Sequence, residues 1–269
     1  MFNTEEILLG IYSGQYNLYN LPLPLYTMTS NKLISGVVQG YGGKGLFELE
    51  LGSPAYDVAK KLHLNIYNFS SAKTFQEVRS IQSKILDDKG IIRSFSDFKK
   101  DAEKIAEIYN ETWLRTEYDT AINQSFSANR WNEIQETKDI YPYLRYQTAN
   151  DERVRDEHAE LDNIVRRVDD PFWDTFMPPN GWNCRCLVIE EETITAKEEK
   201  TAIEREKELA DMKKNNKEEY NKKYPALFRD NSGKTGKVFK ETHPYYNVPE
   251  KYKELKERNF DLPIPQNLK

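Results

Sequence analysis

Apolar residues in this chain change their spacing near residue 140, and that change confines the fold to a helical part followed by a sheet-bearing part. Upstream, Phe98, Ala102, Ile105, Ala106, Tyr109 and Trp113 recur every three or four residues, and Tyr118, Ile122 and Phe126 extend the stripe. That spacing describes one face of a helix. It opens at Ser94 and Asp97 and fades by about residue 136, which predicts one long helix or two with a break. An earlier helix is expected from Thr74 and Glu77, which have capping-box spacing, and from Phe75, Val78, Ile81, Ile85 and Leu86, with Gly90 ending it. Beyond 140 the period falls to two. "YPYLRYQTAND" suits a strand, "DERVRDEHAELDNIV" a loop or short helix with a return strand, and "WNCRCLVIE" a third strand.

The flanks read differently. Residues 1–70 are broken by "NLPLPLY" and "GYGGKG" and are expected to form an irregular N-terminal arm. After residue 192, "TITAKEEKTAIEREKELADMKKNNKEEY" predicts a charged helix with few apolar positions, and the turn-rich but aromatic tail is expected to dock. The fold class is therefore α+β. Its expected segments are an arm (1–70), a helical region (71–139), a module with a small antiparallel sheet (140–192), and a charged helix and tail (193–269).

Charged residues make up 31% of the chain and the mean hydropathy is -0.82, so solvated helices are expected. With 17 Tyr and 12 Phe there is still ample material for a core. No apolar run approaches the ~20 residues of a membrane helix, and no membrane partner is expected. The N-terminus "MFNTEEILLGIYSG" is acidic where a secretory leader is basic, which points to a protein kept in a cytoplasm. Net charge is -5, whereas residues 213–258 carry 13 basic and 7 acidic side chains. If any part meets DNA phosphates it is this one, with Lys213, Lys214, Lys222 and Lys223 as the candidate contacts. A solvated tail explains the same charges. The "GYGGKGL" stretch is no phosphate loop, because Val38 stands where the first glycine belongs and Gly45 follows the lysine.

The only two cysteines, Cys184 and Cys186, stand one residue apart. In a strand, residues i and i+2 share a face, so both thiols would come together yet be poorly placed to bridge each other. Two thiolates on one face suit a soft metal ion. His158 lies 26 residues earlier among acidic residues, and His158, Cys184, Cys186 and Asp162 would satisfy tetrahedral zinc. Packing of the cysteines as small core residues is the competing reading. Around them, Arg153 and Arg155 can pair with neighbouring aspartates, and Asp151 is a natural turn residue. Pro178 and Pro179 stiffen an aromatic loop in which Trp173 and Trp182 could anchor an interface or cover the sheet.

The module also resembles a known family. The elements that carry it are the aromatic strand Tyr143–Tyr146, Thr148, Asp151, Arg153-Val154-Arg155, His158 and Leu161-Asp162. Asp170-Pro171-Phe172-Trp173 and the closing Pro178-Pro179-Asn180-Gly181-Trp182-Asn183-Cys184-Arg185-Cys186 complete it. In this order and spacing they resemble the signature of the Mu F-like family of phage minor head proteins. Residues 95–131 resemble the helical region before that signature, and "FRDNSGKTGKVF" with "HPYY" is similar to the ending of many members. One departure is Asn163, where the family often has glycine; asparagine tolerates the same positive φ.

The resemblance implies a minor head protein of a tailed phage or prophage, acting in head morphogenesis. Its implied partners are the portal and procapsid proteins, and DNA packaging or ejection is an implied task. Its implied location is the host cytoplasm during assembly and then the virion head or portal vertex. The family's His and Cys positions, carried onto His158, Cys184 and Cys186, favour bound zinc. An alternative of another class is a metal-dependent or Cys/His-based enzyme acting on nucleic acid or protein and delivered with the virion. Nothing in the sequence supplies a nucleophile elbow or oxyanion element for it.

Overall fold

In the computed structural model, which describes residues 3–268, the first seventy residues are not irregular. Helix α1 (Thr4–Tyr12) starts where the Asn3 side chain accepts from the Glu5 and Glu6 amides. Helix α2 (Leu23–Gly40) absorbs the proline-rich stretch in its first turn, where a missing N–H costs nothing. Helix α3 (Pro54–Gln82) begins at Ser53, whose hydroxyl accepts from Tyr56 N. The expected irregular arm is thus corrected. Leu25, Thr29, Leu33 and Val37 are buried at helical spacing, and that periodicity outweighs the Pro and Gly punctuation around it.

Helix α3 displaces the expected start at Thr74. That residue lies deep inside α3 and donates its hydroxyl to the Ser70 carbonyl, while Glu77 is buried. Nor does Gly90 end the helix; it sits at φ 77 in a short turn closed by the Leu86–Ile92 bridge.

The long stripe behaves as expected at its start. Helix α4 (Phe95–Glu107) is capped by Ser94 Oγ accepting from Asp97 N, and it continues through a π-helical segment, Ile108–Trp113, into α5 (Leu114–Thr137). Phe98, Ala102, Ala106 and Tyr109 are buried, but Trp113 and Phe126 are exposed. A π turn holds an extra residue, and Trp113 at its end packs against Tyr109 and Tyr245 while staying partly open to solvent. Helix α2 lies against α5 at very close range. A Cβ on Gly36 would meet Tyr118 O at 3.1 Å, and one on Gly40 would meet Ile122 O at 2.1 Å. At Gly40 only hydrogen fits, and at Gly36 a side chain would force the helices apart by a few tenths of an ångström.

After residue 140 the period-two stretch forms a three-stranded antiparallel sheet ordered β2-β1-β3. Strand β1 is Tyr143–Gln147, β2 is Val165–Arg167 and β3 is Leu187–Glu191. Arg145 stands opposite Val165 on one side and Ile189 on the other. Leu144, Tyr146 and Val188 share a core with Trp131 and Ile134 of α5, so the helix seats the sheet. Short helices α6 (Asp156–Ala159) and α7 (Phe172–Phe176) lie in the connections.

Helices α8 (Ala196–Asn215) and α9 (Lys217–Lys223) follow. In α8 only Ala202 and Leu209 are buried, as its sparse apolar positions imply. The tail docks on α3. Phe239 stacks on Phe69 at 3.7 Å, and Asn65 binds the Val238 and Phe239 amides and the Phe239 carbonyl. Tyr26 donates its hydroxyl to Pro263 O.

One feature of this core is not apolar. Lys73, wholly buried in α3, donates to Tyr109 O at 2.7 Å and to Glu117 at 2.5 Å, and Glu117 also accepts from Tyr245 OH. Glu77 accepts from Asn110 on one oxygen, while its other oxygen is buried without a partner. Burial pushes the Glu77 carboxyl up to about 8.

Candidate metal centre

Three side chains converge beside the sheet. Cys184 and Cys186 lie on the extended lead-in to β3 rather than within the strand, but the alternation already holds there. Both sulfurs turn inward to His158 Nδ1, at 3.7 and 3.6 Å, and Arg185 between them turns outward. Helix α6 presents His158, which is buried, and Gly181 packs over it; a Cβ there would meet Arg155 Nη1 at 3.0 Å and His158 Cε1 at 3.6 Å. The ligand atoms of His158, Cys184 and Cys186 all lie within 4.8 Å of one another.

These distances fit a zinc ion. Tetrahedral zinc with Zn–S of ~2.3 Å and Zn–N of ~2.05 Å holds sulfur and nitrogen about 3.5–3.6 Å apart. The proton chemistry points the same way. Interaction with the Cys186 thiol pulls the Cys184 thiol down, with His158 adding to the effect, against burial that raises it. Cys186 is pushed up by Cys184 and by burial. The pair therefore releases one proton readily and holds the other, and a bound cation would let both sulfurs carry charge.

Asp162 is not part of the cluster. Its Oδ1 accepts from the Thr148 amide and hydroxyl at 2.7 and 2.9 Å, and its Oδ2 from Asn163 Nδ2. It ties the end of β1 to the turn before β2, where Asn163 takes φ 61, so the tetrahedral set expected from sequence lacks its fourth side chain. A cleft of about 270 Å³, lined in part by Arg153, Arg155, His158 and Asn183, opens on the three ligands and leaves room for a water or a guest ligand.

The remaining signature residues build the frame. Asp151 holds Arg185 in a two-pronged ion pair at 2.6 and 2.7 Å and accepts from the Arg153 amide. Arg155 donates to Trp182 O at 2.5 Å, tying the α6 loop to the cysteine loop. Trp173 is fully buried and donates its indole N–H to Arg167 O, so it is a core residue and not an exposed anchor. Trp182 is partly buried and packs edge-on against Phe228 of the tail, 5.0 Å between centroids. Pro178 and Pro179 are joined by a cis peptide, and their carbonyls accept from Ser127 and Gln124 of α5.

The sequence places Tyr146 in the signature strand but not in the site, where its hydroxyl donates to Asn180, and it does not single out Ser127 and Gln124 as supports. Their only signal was position on the inner faces of β1 and α5. Among the basic candidates, Lys213, Lys214 and Lys222 are exposed, but Lys223 donates to Glu160 at 2.7 Å.

The family model described as "Phage Mu protein F like protein" matches residues 89–189. "Putative capsid assembly protein F" of Escherichia phage Mu is 47% identical over 75 residues, 28% of this chain and 17% of that protein. The "Mu-like prophage FluMu F protein" of Haemophilus influenzae is 44% identical over 77 residues, 29% of this chain and 18% of that protein. The chain thus spans less than a fifth of the length of these curated relatives. No solved structure matches it. The matched span runs from the turn before α4 into β3 and takes in every residue of the three-ligand cluster, and in that region the chain is similar to the Mu F-like phage proteins.

Proposed function

We propose that this chain acts in assembly of a phage head, through contacts with the portal and procapsid proteins. The observation that carries the reading is the coincidence of two things: the Mu F-like match, and a compact module whose matched residues serve the architecture. Asp151, Arg155, Asp162 and Trp173 each hold a loop or fill the core. No acidic side chain lies within the His–Cys cluster among the described residues, and this arrangement supports an assembly part over a hydrolytic centre.

In this reading His158, Cys184 and Cys186 hold a zinc ion. Its contribution is structural: it ties α6 to the lead-in of β3, two segments otherwise joined by the Arg155–Trp182 and Asp151–Arg185 contacts. Among the described residues no helix is long and apolar enough to cross a membrane, and none of the proposed contacts involves one. Contact with DNA rests on Lys213, Lys214 and Lys222 at the end of α8 and in α9, and would weaken steeply with salt.

The test is co-purification of the full chain with the portal protein and with procapsids of the phage or prophage that carries it, at low and moderate salt. A complex that survives moderate salt is expected. Absence of binding to either would overturn the assembly reading.

A further inference from the structure

The two edges of the sheet are treated differently. Helix α8 packs against β2, where Arg166 pairs with Glu206. Strand β3 forms the opposite edge, and its backbone pairing can be worked out residue by residue. Tyr146 exchanges both backbone hydrogen bonds with the β2 side, its N–H to Ile164 O and its carbonyl from Asn163 N, each at 2.8 Å. In an antiparallel strand, Arg145 and Gln147 must then face β3, where they stand opposite Ile189 and Leu187. It follows that Val188 and Glu190 point their N–H and C=O groups away from the sheet, and these groups have no partner among the described residues. Leu187 and Ile189 are exposed, and neither lysine nor proline guards this edge.

The side chains along the edge have a particular order. Arg185, Leu187, Ile189 and Glu191 alternate with inward Cys184, Cys186, Val188 and Glu190. Read backwards, the outward series becomes Glu, Ile, Leu, Arg. A two-fold axis through Val188 would set Arg185 opposite Glu191 of a second copy, Leu187 opposite Ile189, and the same pairs again on the other side. Every outward residue then meets a complementary one, and the free amide and carbonyl of Val188 meet those of the second Val188.

We infer that β3 pairs edge to edge with β3 of a second copy of this chain, joining two three-stranded sheets into one of six strands. The self-complementary order of charge and apolarity selects a second copy over an unrelated extended segment, because register and partner are written in the same four residues.

Charge reversal tests this, although Arg185→Glu also breaks the Asp151 pair beside the metal centre and Glu191→Arg the Arg145 pair, so the readout is recovery on mixing rather than either variant alone. Sedimentation velocity on the full chain, from about 1 to 300 μM, should show a monomer–dimer equilibrium. Arg185→Glu places glutamate against Glu191 twice, and Glu191→Arg places arginine against Arg185 twice. Each variant alone should dimerise at least ten-fold more weakly, and an equimolar mixture of the two should recover the dimer as a heterodimer. Loss of the local Asp151 or Arg145 contacts would not be repaired by mixing, so recovery is specific to the pairing. In wild type, the Val188 and Glu190 amides should gain hydrogen-exchange protection with concentration, while Leu187 and Ile189 are protected throughout. A wild-type chain that stays monomeric to 300 μM, or variants that do not recover on mixing, would overturn the inference. So would exchange at Val188 and Glu190 that ignores concentration.

Discussion

Arg185 and Asp151 form a two-pronged ion pair between the cysteine-bearing segment and the loop that leads into α6. The pair lies beside the three candidate ligands, so it sets the distance between the two segments that carry them. Arg185 holds the Asp151 carboxyl well below the usual carboxylate range, with smaller help from the Arg153 amide. A depressed folded value means that stability is present above the ordinary carboxylate pKa and lost as pH falls through the folded one. Wild type should therefore melt above Asp151→Asn at pH 7, and the gap in Tm should close as the pH drops below about 4. High salt should narrow it too, because the pair is exposed.

The buried acid in α3 has the opposite sign. Burial raises the Glu77 carboxyl to about 8, so the fold favours its neutral form. Its contribution is fully present below the unfolded value near 4.5 and is lost as pH rises towards 8. Glu77→Gln keeps a neutral partner for Asn110 and removes that loss. The variant should match wild type near pH 4 and exceed it at pH 8 by a few kcal/mol at most, read from urea unfolding at the two pH values.

Gly40 offers a test of the α2–α5 crossing. In an open helix, Gly→Ala stabilises by about 1 kcal/mol. Here the added methyl would lie 2.1 Å from the Ile122 carbonyl oxygen, and such overpacking typically costs ~1–3 kcal/mol or more. Gly40→Ala should therefore lower stability in chemical denaturation, against the propensity trend. A stabilised variant would mean that the helices do not cross so closely.

Asp162 separates ligand from brace. Asp162→Asn should leave any bound zinc in place, because the carboxylate holds Thr148 and Asn163 rather than the cluster. Its effect should be a lower Tm with unchanged metal content, and loss of metal would return Asp162 to the ligand set.

The sequence made some of this legible and hid the rest for physical reasons. The α4–α5 stripe and the period-two strands announce themselves because one face of each is buried continuously. The convergence of Cys184 and Cys186 on one side followed from alternation alone, even though they precede the strand proper. Helix α2 is hidden by Pro24 in its first turn and by Gly42 and Gly43 just past its end, none of which breaks it. The π segment is not legible, because nothing in "IYNETW" differs in period from its surroundings. Asp162 looked like a ligand because carboxylates near a histidine always do; only the positions of Thr148 and Asn163 show where its oxygens are spent.

A zinc ion held by His158, Cys184 and Cys186 would fasten α6 to the lead-in of β3. The most direct measurement is the zinc content of the purified full chain by elemental analysis, with thermal melts before and after chelation. The account predicts about one zinc per chain, a Tm that falls when zinc is removed, and loss of the metal in His158→Ala and Cys184→Ser. A folded, zinc-free protein whose Tm is indifferent to both chelator and added zinc would contradict it.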